Sequence, residues 1–333
     1  MNKLLVIRFS AIGDVALSVL AVRALREAYP DLDITVVTRE HLLCLFEDIP
    51  NLSFYMVPHH PEWEDRLELV QQLKDGKFDV IADLQNTFTS RTLCRVIACR
   101  GCRVERFDWC RKPLRKLTKH RPGAEPVREE VLRFLDVFAR LGYPVNPPVV
   151  KRKTLPVPEV FGPKKGRWVG LAPFTTKLTK MYPLDSAAEV VRRLQEEFDK
   201  VFIFSGANAE QHFCEEMTRL YPRVETVYGR TNLAGEVALI SNLDVLVCAA
   251  GATMHMARLT GAPIVALWGG THPACGYGAY GADPERDYLQ LDLPCRPCSA
   301  FGEGYCRRED YACLNRLTPD MILDKVHDVV GKK

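Results

Sequence analysis

The sequence predicts an α/β protein of two Rossmann-like domains with a cleft between them. Three observations carry that expectation. The chain has 333 residues, against roughly 150 for one domain. Strand and helix patterns alternate in each half, the rhythm of parallel sheets covered by helices. Between the halves, residues 144–166 hold six prolines (144, 147, 148, 156, 158, 163) and little apolar periodicity, which marks a linker.

Residues 3–9 form a short apolar run and 14–29 carry helical spacing. The β-branched stretch 33–38 follows a turn at Pro30-Asp31. Residues 53–57, 78–84 and 103–107 are further strand candidates, and 62–74 and 87–98 are helix candidates. After the linker, 168–172, 200–205, 244–249 and 263–268 read as strands. Residues 184–198, 209–221, 233–242 and 253–260 read as helices. Residues 319–330 make a last helix, with Thr318 as its N-cap. The expected division is 1–150, 151–316 and a terminal helical segment, 317–333.

Hydrophobic residues are 47% and charged residues 26% of the chain, which excludes a disordered, collagenous or coiled-coil reading. No apolar run approaches the ~18 residues of a membrane span. Lys3 and Arg8 precede an apolar stretch at 11–22, but Asp14 interrupts it, so the start reads as folded strand and helix rather than a targeting segment. Twelve cysteines then suit a reducing compartment, with thiols free or on metal.

Charge is uneven. Residues 1–90 carry net −6, residues 91–121 net +9 and residues 122–333 net zero. The basic segment includes Arg111, Lys112, Arg115 and Lys116, with Phe107 and Trp109 nearby. A solvated loop, RNA binding and docking on an anionic lipid all suit such a segment, but no RNA-binding motif accompanies it.

In open α/β sheets, ligands bind beyond the carboxyl ends of strands. Three loops there carry chemistry. The first is Ser10-Ala11-Ile12-Gly13-Asp14, where Gly13 permits a tight turn. Asp14 either caps the following helix or serves as a general base, and one carboxylate can do both. The second is Thr175-Thr176 with Lys180 four residues on, which suits a diphosphate through two hydroxyls and a point charge; a solvated loop is the alternative. The third is Gly251-Ala252-Thr253-Met254-His255, small residues opening a helix whose N-terminus can face an anion. A single His such as His255 is otherwise a packing residue.

Two further patterns compete. Asp31-Leu32-Asp33 imitates an Asp-x-Asp metal motif but reads as a solvated turn. Cys295, Cys298, Cys306 and Cys313 fall within nineteen residues. They suit a structural zinc site, reduced thiols or a disulfide.

The ordered set of Ser10-Ala11-Ile12-Gly13-Asp14, Thr175-Thr176, Lys180-Met181-Tyr182-Pro183, Met254-His255, Gly261-Ala262-Pro263 and Trp268-Gly269-Gly270-Thr271-His272-Pro273 resembles glycosyltransferase family 9, the ADP-heptose:lipopolysaccharide heptosyltransferases. The resemblance runs from residue 1 to about residue 330. It implies a GT-B fold whose final helix crosses back to the first domain. It also implies an inverting transfer that requires no metal cofactor, leaving zinc a structural role only. Asp14 resembles the base that deprotonates the acceptor, with Ser10, Gly13 and the cationic residues 111, 112, 115 and 116 on the acceptor side. Thr175, Thr176, Lys180 and residues 251–255 match the donor-diphosphate positions. The implied partners are an ADP-sugar and an anionic lipid A-core acceptor, met at the cytoplasmic face of the inner membrane, with no nucleic acid. The sequence departs from the family pattern at Ala250, where an acidic residue is usual. Another nucleotide-sugar transferase, or a non-catalytic sugar-nucleotide- or lipid-binding relative, is the alternative.

Overall fold

Residues 2–58, 63–206 and 210–331 are described by the computed structural model of the chain. Residues 62 and 209, at the starts of two expected helices, and 332–333, at the end of the terminal segment, lie outside that description. The chain divides into two compact units, Met1–Cys110 with Arg128–Val149, and Arg111–Val127 with Val150–Lys333.

In the first unit, β1 (Lys3–Ile7), β2 (Asp33–Arg39), β3 (Leu52–Val57), β4 (Val80–Asp83) and β5 (Arg103–Arg106) form a parallel sheet in the order β3-β2-β1-β4-β5. Helices α1 (Ile12–Ala28), α2 (Trp63–Asp75) and α3 (Phe88–Ile97) follow β1, β3 and β4. Helix α4 (Arg111–Thr118) lies in the segment grouped with the second unit. Helix α5 (Glu130–Arg140) returns to the first unit and packs on α1. Leu4–Ile7 of β1 are all fully buried, as expected for a central parallel strand covered on both faces.

The second unit repeats this winding. Strands β6 (Trp168–Ala172), β7 (Lys200–Ile203), β8 (Val224–Thr226), β9 (Val245–Ala249), β10 (Ile264–Trp268) and β11 (Tyr288–Gln290) form a parallel sheet ordered β11-β10-β9-β6-β7-β8. Helices α6 (Leu184–Glu197), α7 (Gln211–Leu220), α8 (Leu233–Asn242) and α9 (Ala252–Thr260) connect its strands. Short helices α10 (Pro284–Asp287) and α11 (Ala312–Asn315) precede α12 (Pro319–Val330), which Thr318 caps by accepting from Met321 N at 3.3 Å. Both sheets therefore reverse direction once, between β1 and β4 and between β6 and β9. A crevice opens at such a point because neighbouring connections leave on opposite faces.

The structure revises three expectations. Helix α12 packs on α6, β9, β10 and β11, burying Ile322, Leu323 and Val326 in the second unit's core, rather than crossing back to the first domain. The segment 111–127 also belongs to the second unit, where Val127 N donates to Ala274 O at 2.8 Å. Third, part of the proline-rich stretch is not a free linker. Lys153 N donates to Thr260 O, and Leu155 N to Ser241 Oγ, both in the second unit. Among the described residues, no helix is long and apolar enough to cross a membrane.

Candidate functional site

The first unit's reversal point gathers the loops after β1 and β4. Asp14 is the third residue of α1, and its Oδ2 accepts the Ala11 N–H at 3.1 Å. The same oxygen lies 2.8 Å from Arg8 Nη2, while Asp14 itself keeps 29% of its side-chain exposure. Among the described residues, Oδ1 has no protein partner. One oxygen thus fixes the carboxylate, and the other keeps its lone pairs free of protein partners among the described residues. Capping the helix and acting as a base are compatible in this geometry.

Arg8 is fully buried. Its Nη1 donates to Leu84 O at 2.6 Å, and its guanidinium lies 5.7 Å from the Trp109 ring centre and 5.5 Å from that of Phe134. A second carboxylate, Glu130 at the start of α5, sits 3.4 Å from Arg8 Nη2. Burial, reinforced by the Asp14 charge, pushes the Glu130 carboxyl up to about 8, against the opposing pull of Arg8 and Arg133.

Gln85 supports the other side of the loop. Its Oε1 accepts from Phe9 N and Ser10 N at 3.2 and 3.3 Å, and its Nε2 donates to Ser10 Oγ at 3.0 Å. Sequence reading missed Gln85 and Glu130. The position just after β4 was a signal for the first. For the second, Val131, Phe134, Leu135 and Phe138 recur at helical spacing and are buried on α5, a helix not expected from the sequence. Gly13 lies in α1 and has no positive φ, so the expected glycine turn is instead the start of a helix.

At the second unit's reversal point the loops after β6 and β9 meet. Thr175 Oγ1 donates to Lys177 O at 2.8 Å, which closes the turn and commits that proton. Thr176 is exposed and Lys180 half-buried. The Lys180 stem runs beside Gly302, where an added Cβ would come 2.6 Å from Lys180 Cδ. Gly302 also has φ +89°, in the region that favours glycine.

Gly251 caps α9 with no side-chain cap bond, and an added Cβ there would lie 3.5 Å from Thr175 Cγ2. The first N–H groups of α9, those of Ala252, Thr253 and Met254, therefore lie beside the Thr175 turn. Met254 is 1% exposed, so only its backbone is placed to meet a ligand. His255 is 8% exposed, and Ala250 is buried at the end of β9.

The cationic residues 111, 112, 115 and 116 lie on α4, all exposed, above the buried anchor Leu114. This segment is helical, not an irregular loop. The neighbouring aromatics do not share its exposure: Phe107 is buried, and Trp109 packs edge-on against it at 5.1 Å.

All twelve cysteines are free thiols. Among the described residues, no group of three or more His, Cys, Asp or Glu is placed to hold a metal ion. Of the readings that the spacing of Cys295, Cys298, Cys306 and Cys313 left open, a structural zinc, reduced thiols or a disulfide, the structure shows free thiols. Burial pushes the Cys313 thiol up to about 11 and raises Cys298 as well, which disfavours thiolates. The loop is held instead by buried Arg296, which donates to Gly269 O at 2.5 Å, Thr271 O at 2.9 Å and Gln290 Oε1 at 3.1 Å.

The profile described as "Glycosyltransferase family 9 (heptosyltransferase)" matches residues 66–300, more than half of the chain. The lipopolysaccharide core heptosyltransferase OpsX of Haemophilus influenzae is 25% identical over 282 residues, covering 82% of this chain and 80% of that relative. The structure of E. coli ADP-heptose LPS heptosyltransferase II matches with a TM-score of 0.70 at 22% identity, covering 98% of each chain. E. coli heptosyltransferase WaaC with ADP matches at 0.71 and 17% identity, covering 98% of this chain and 99% of that one. The fold is that of these GT-B structures, with two parallel α/β sheets.

Proposed function

Because the chain belongs to glycosyltransferase family 9, the heptosyltransferases, we propose that it moves heptose from ADP-heptose to a lipopolysaccharide core acceptor with inversion at the anomeric carbon. The observation that carries this reading is the division of chemistry between two strand-order reversals. One presents a fixed carboxylate with an open oxygen, and the other presents cationic and N–H donors.

The reaction is a single displacement. An acceptor hydroxyl attacks the anomeric carbon, its proton passes to Asp14 Oδ1, and the sugar–phosphate bond breaks with its electron pair leaving on ADP. Fixed donors stabilise that leaving charge without reorganising. Lys180, the Thr176 hydroxyl and the first N–H groups of α9 are the donors this chain supplies, and this role requires no metal. Ser10, tied to Gln85, lies beside Asp14 in sequence and contributes to the acceptor side with Gly13.

Helix α4 supplies the contact with anionic lipid. Its exposed cations suit a phosphorylated acceptor and the inner surface of the inner membrane, at about 1 kcal/mol per Lys or Arg near the surface. The domains then divide as an acceptor-side first unit and a donor-side second unit, the latter including α4 and α12.

The test incubates the purified protein with a panel of nucleotide sugars and lipid A-core acceptors and reads products by mass spectrometry. Addition of one heptose from ADP-heptose, with the inverted anomer, is expected. Transfer from a different nucleotide sugar, or binding without any product, would replace this reading with one of its rivals.

A further inference from the structure

We propose that Glu130 is a positioning residue for the transfer, acting through the buried Arg8 to hold Asp14 and to supply Arg8 with a second anion once Asp14 is protonated. The inference rests on the reading of Asp14 as the base.

One guanidinium serves two carboxylates. Arg8 Nη2 lies 2.8 Å from Asp14 Oδ2 and 3.4 Å from Glu130 Oε1. Arg8 and the Glu130 side chain have no solvent exposure, and Glu130 Oε2 has no hydrogen-bond partner among the described residues. Such a carboxyl is costly to bury for packing alone. The ring faces of Trp109 and Phe134 beside Arg8 offer no full counter-charge.

The charges around the pair are few. Arg133, one turn along α5, donates to Asp108 O at 2.9 Å and lies over Phe107. Glu129 precedes Glu130, and burial raises its carboxyl. At the end of β4, Asp83 accepts from Asn86 N and Ser90 Oγ, and Arg106 of β5 lies 3.8 Å from it. Asp83 pairs with Arg106 instead, so among the described residues Asp14 and Glu130 are the two carboxylate partners of Arg8.

The consequence follows from charge balance. While Glu130 is protonated, Arg8 is committed to Asp14 and fixes its Oδ2. When Asp14 takes the acceptor's proton, Arg8 is left in a buried, largely apolar setting without its anion. Breaking a buried pair is strongly unfavourable. With the Asp14 charge gone, the Glu130 carboxyl releases its own proton to bulk water and takes over the guanidinium, 3.4 Å away, as a carboxylate, so the protonated state of Asp14 is not reached at that full cost.

The test is the pH profile of kcat for wild type and Glu130→Gln, measured with donor KM. Gln keeps the shape and the acceptor oxygen but cannot ionise. The wild-type kcat profile is expected to bend near pH 8, where Glu130 titrates. Glu130→Gln should lose that bend and lower kcat by about ten- to a hundredfold with donor KM little changed. An unaltered kcat profile would overturn the inference. If the variant fails to fold by circular dichroism, Glu130→Asp carries the test. A retained but shifted bend supports the role, and a profile superimposable on wild type rejects it. Asp14→Asn, run in parallel, separates the two levels. Its retained turnover would remove the base reading and this inference together, whereas its loss alongside an unchanged Glu130 profile would remove the inference alone.

Discussion

Asp14 Oδ2 accepts both the Arg8 guanidinium, at 2.8 Å, and the Ala11 N–H, at 3.1 Å. Among the described residues the carboxylate is held through Oδ2 alone, and its remaining oxygen determines what the residue can do.

Replacing Asp14 with Asn keeps the size and an oxygen for Arg8 but removes the proton acceptor. Turnover is expected to fall by about two to four orders of magnitude with donor affinity nearly intact. Steady-state kinetics with calorimetric donor titration checks this; undiminished kcat would reject the assignment.

Lys180→Ala should weaken ADP-sugar binding by roughly ten- to a hundredfold, the scale of one charge-assisted contact. Gly302→Ala makes the same point without touching a charge. The added methyl would press on the Lys180 stem at 2.6 Å and strain a φ of +89°. Both variants should lose donor affinity, whereas wild-type titration curves would exclude Lys180 from the phosphate site.

Reversing charge at Arg111, Lys112, Arg115 and Lys116 should reduce binding to anionic vesicles and use of the lipid acceptor. The loss should be greatest at low ionic strength, where screening is weakest. Leu114 keeps α4 anchored in these variants. Vesicle co-sedimentation across a salt series checks the outcome, and an unchanged bound fraction would assign the segment another role.

Stability should fall as pH rises from about 5 to about 8. Burial raises the Glu130 carboxyl from 4.5 to about 8, so the folded chain holds a proton that the unfolded chain releases. This contribution is full below the unfolded value and is lost as pH rises through the folded one. Urea unfolding at several pH values should show a shallower slope in Glu130→Gln. An identical slope in the two proteins would show that Glu130 ionises normally.

Tyr182→Phe should destabilise the second unit by about 1–3 kcal/mol. The buried hydroxyl donates to Leu317 O at 2.7 Å and holds the chain just ahead of α12. Thermal unfolding reads the effect, and a melting temperature equal to wild type would mean that the carbonyl finds another donor.

The alternation of strands and helices, the Thr318 cap and the positions after strands of the loops carrying Asp14, Lys180 and residues 251–255 were legible in the sequence. These follow from local chemistry: apolar period, cap residues and the position of a loop after a strand. Tertiary structure alone decided that α12 packs within the second unit, because its buried stripe matches the second sheet's core and nothing in its own spacing names a partner. It also decided that the four cysteines with metal-like spacing stand as free thiols, since spacing along a chain does not fix how thiols pair in space. The meeting of Arg8, Asp14 and Glu130 belongs to the same class. Glu130 is 122 residues from Arg8, and a contact across that separation exists only because α5 packs on α1 and against β4 and β5.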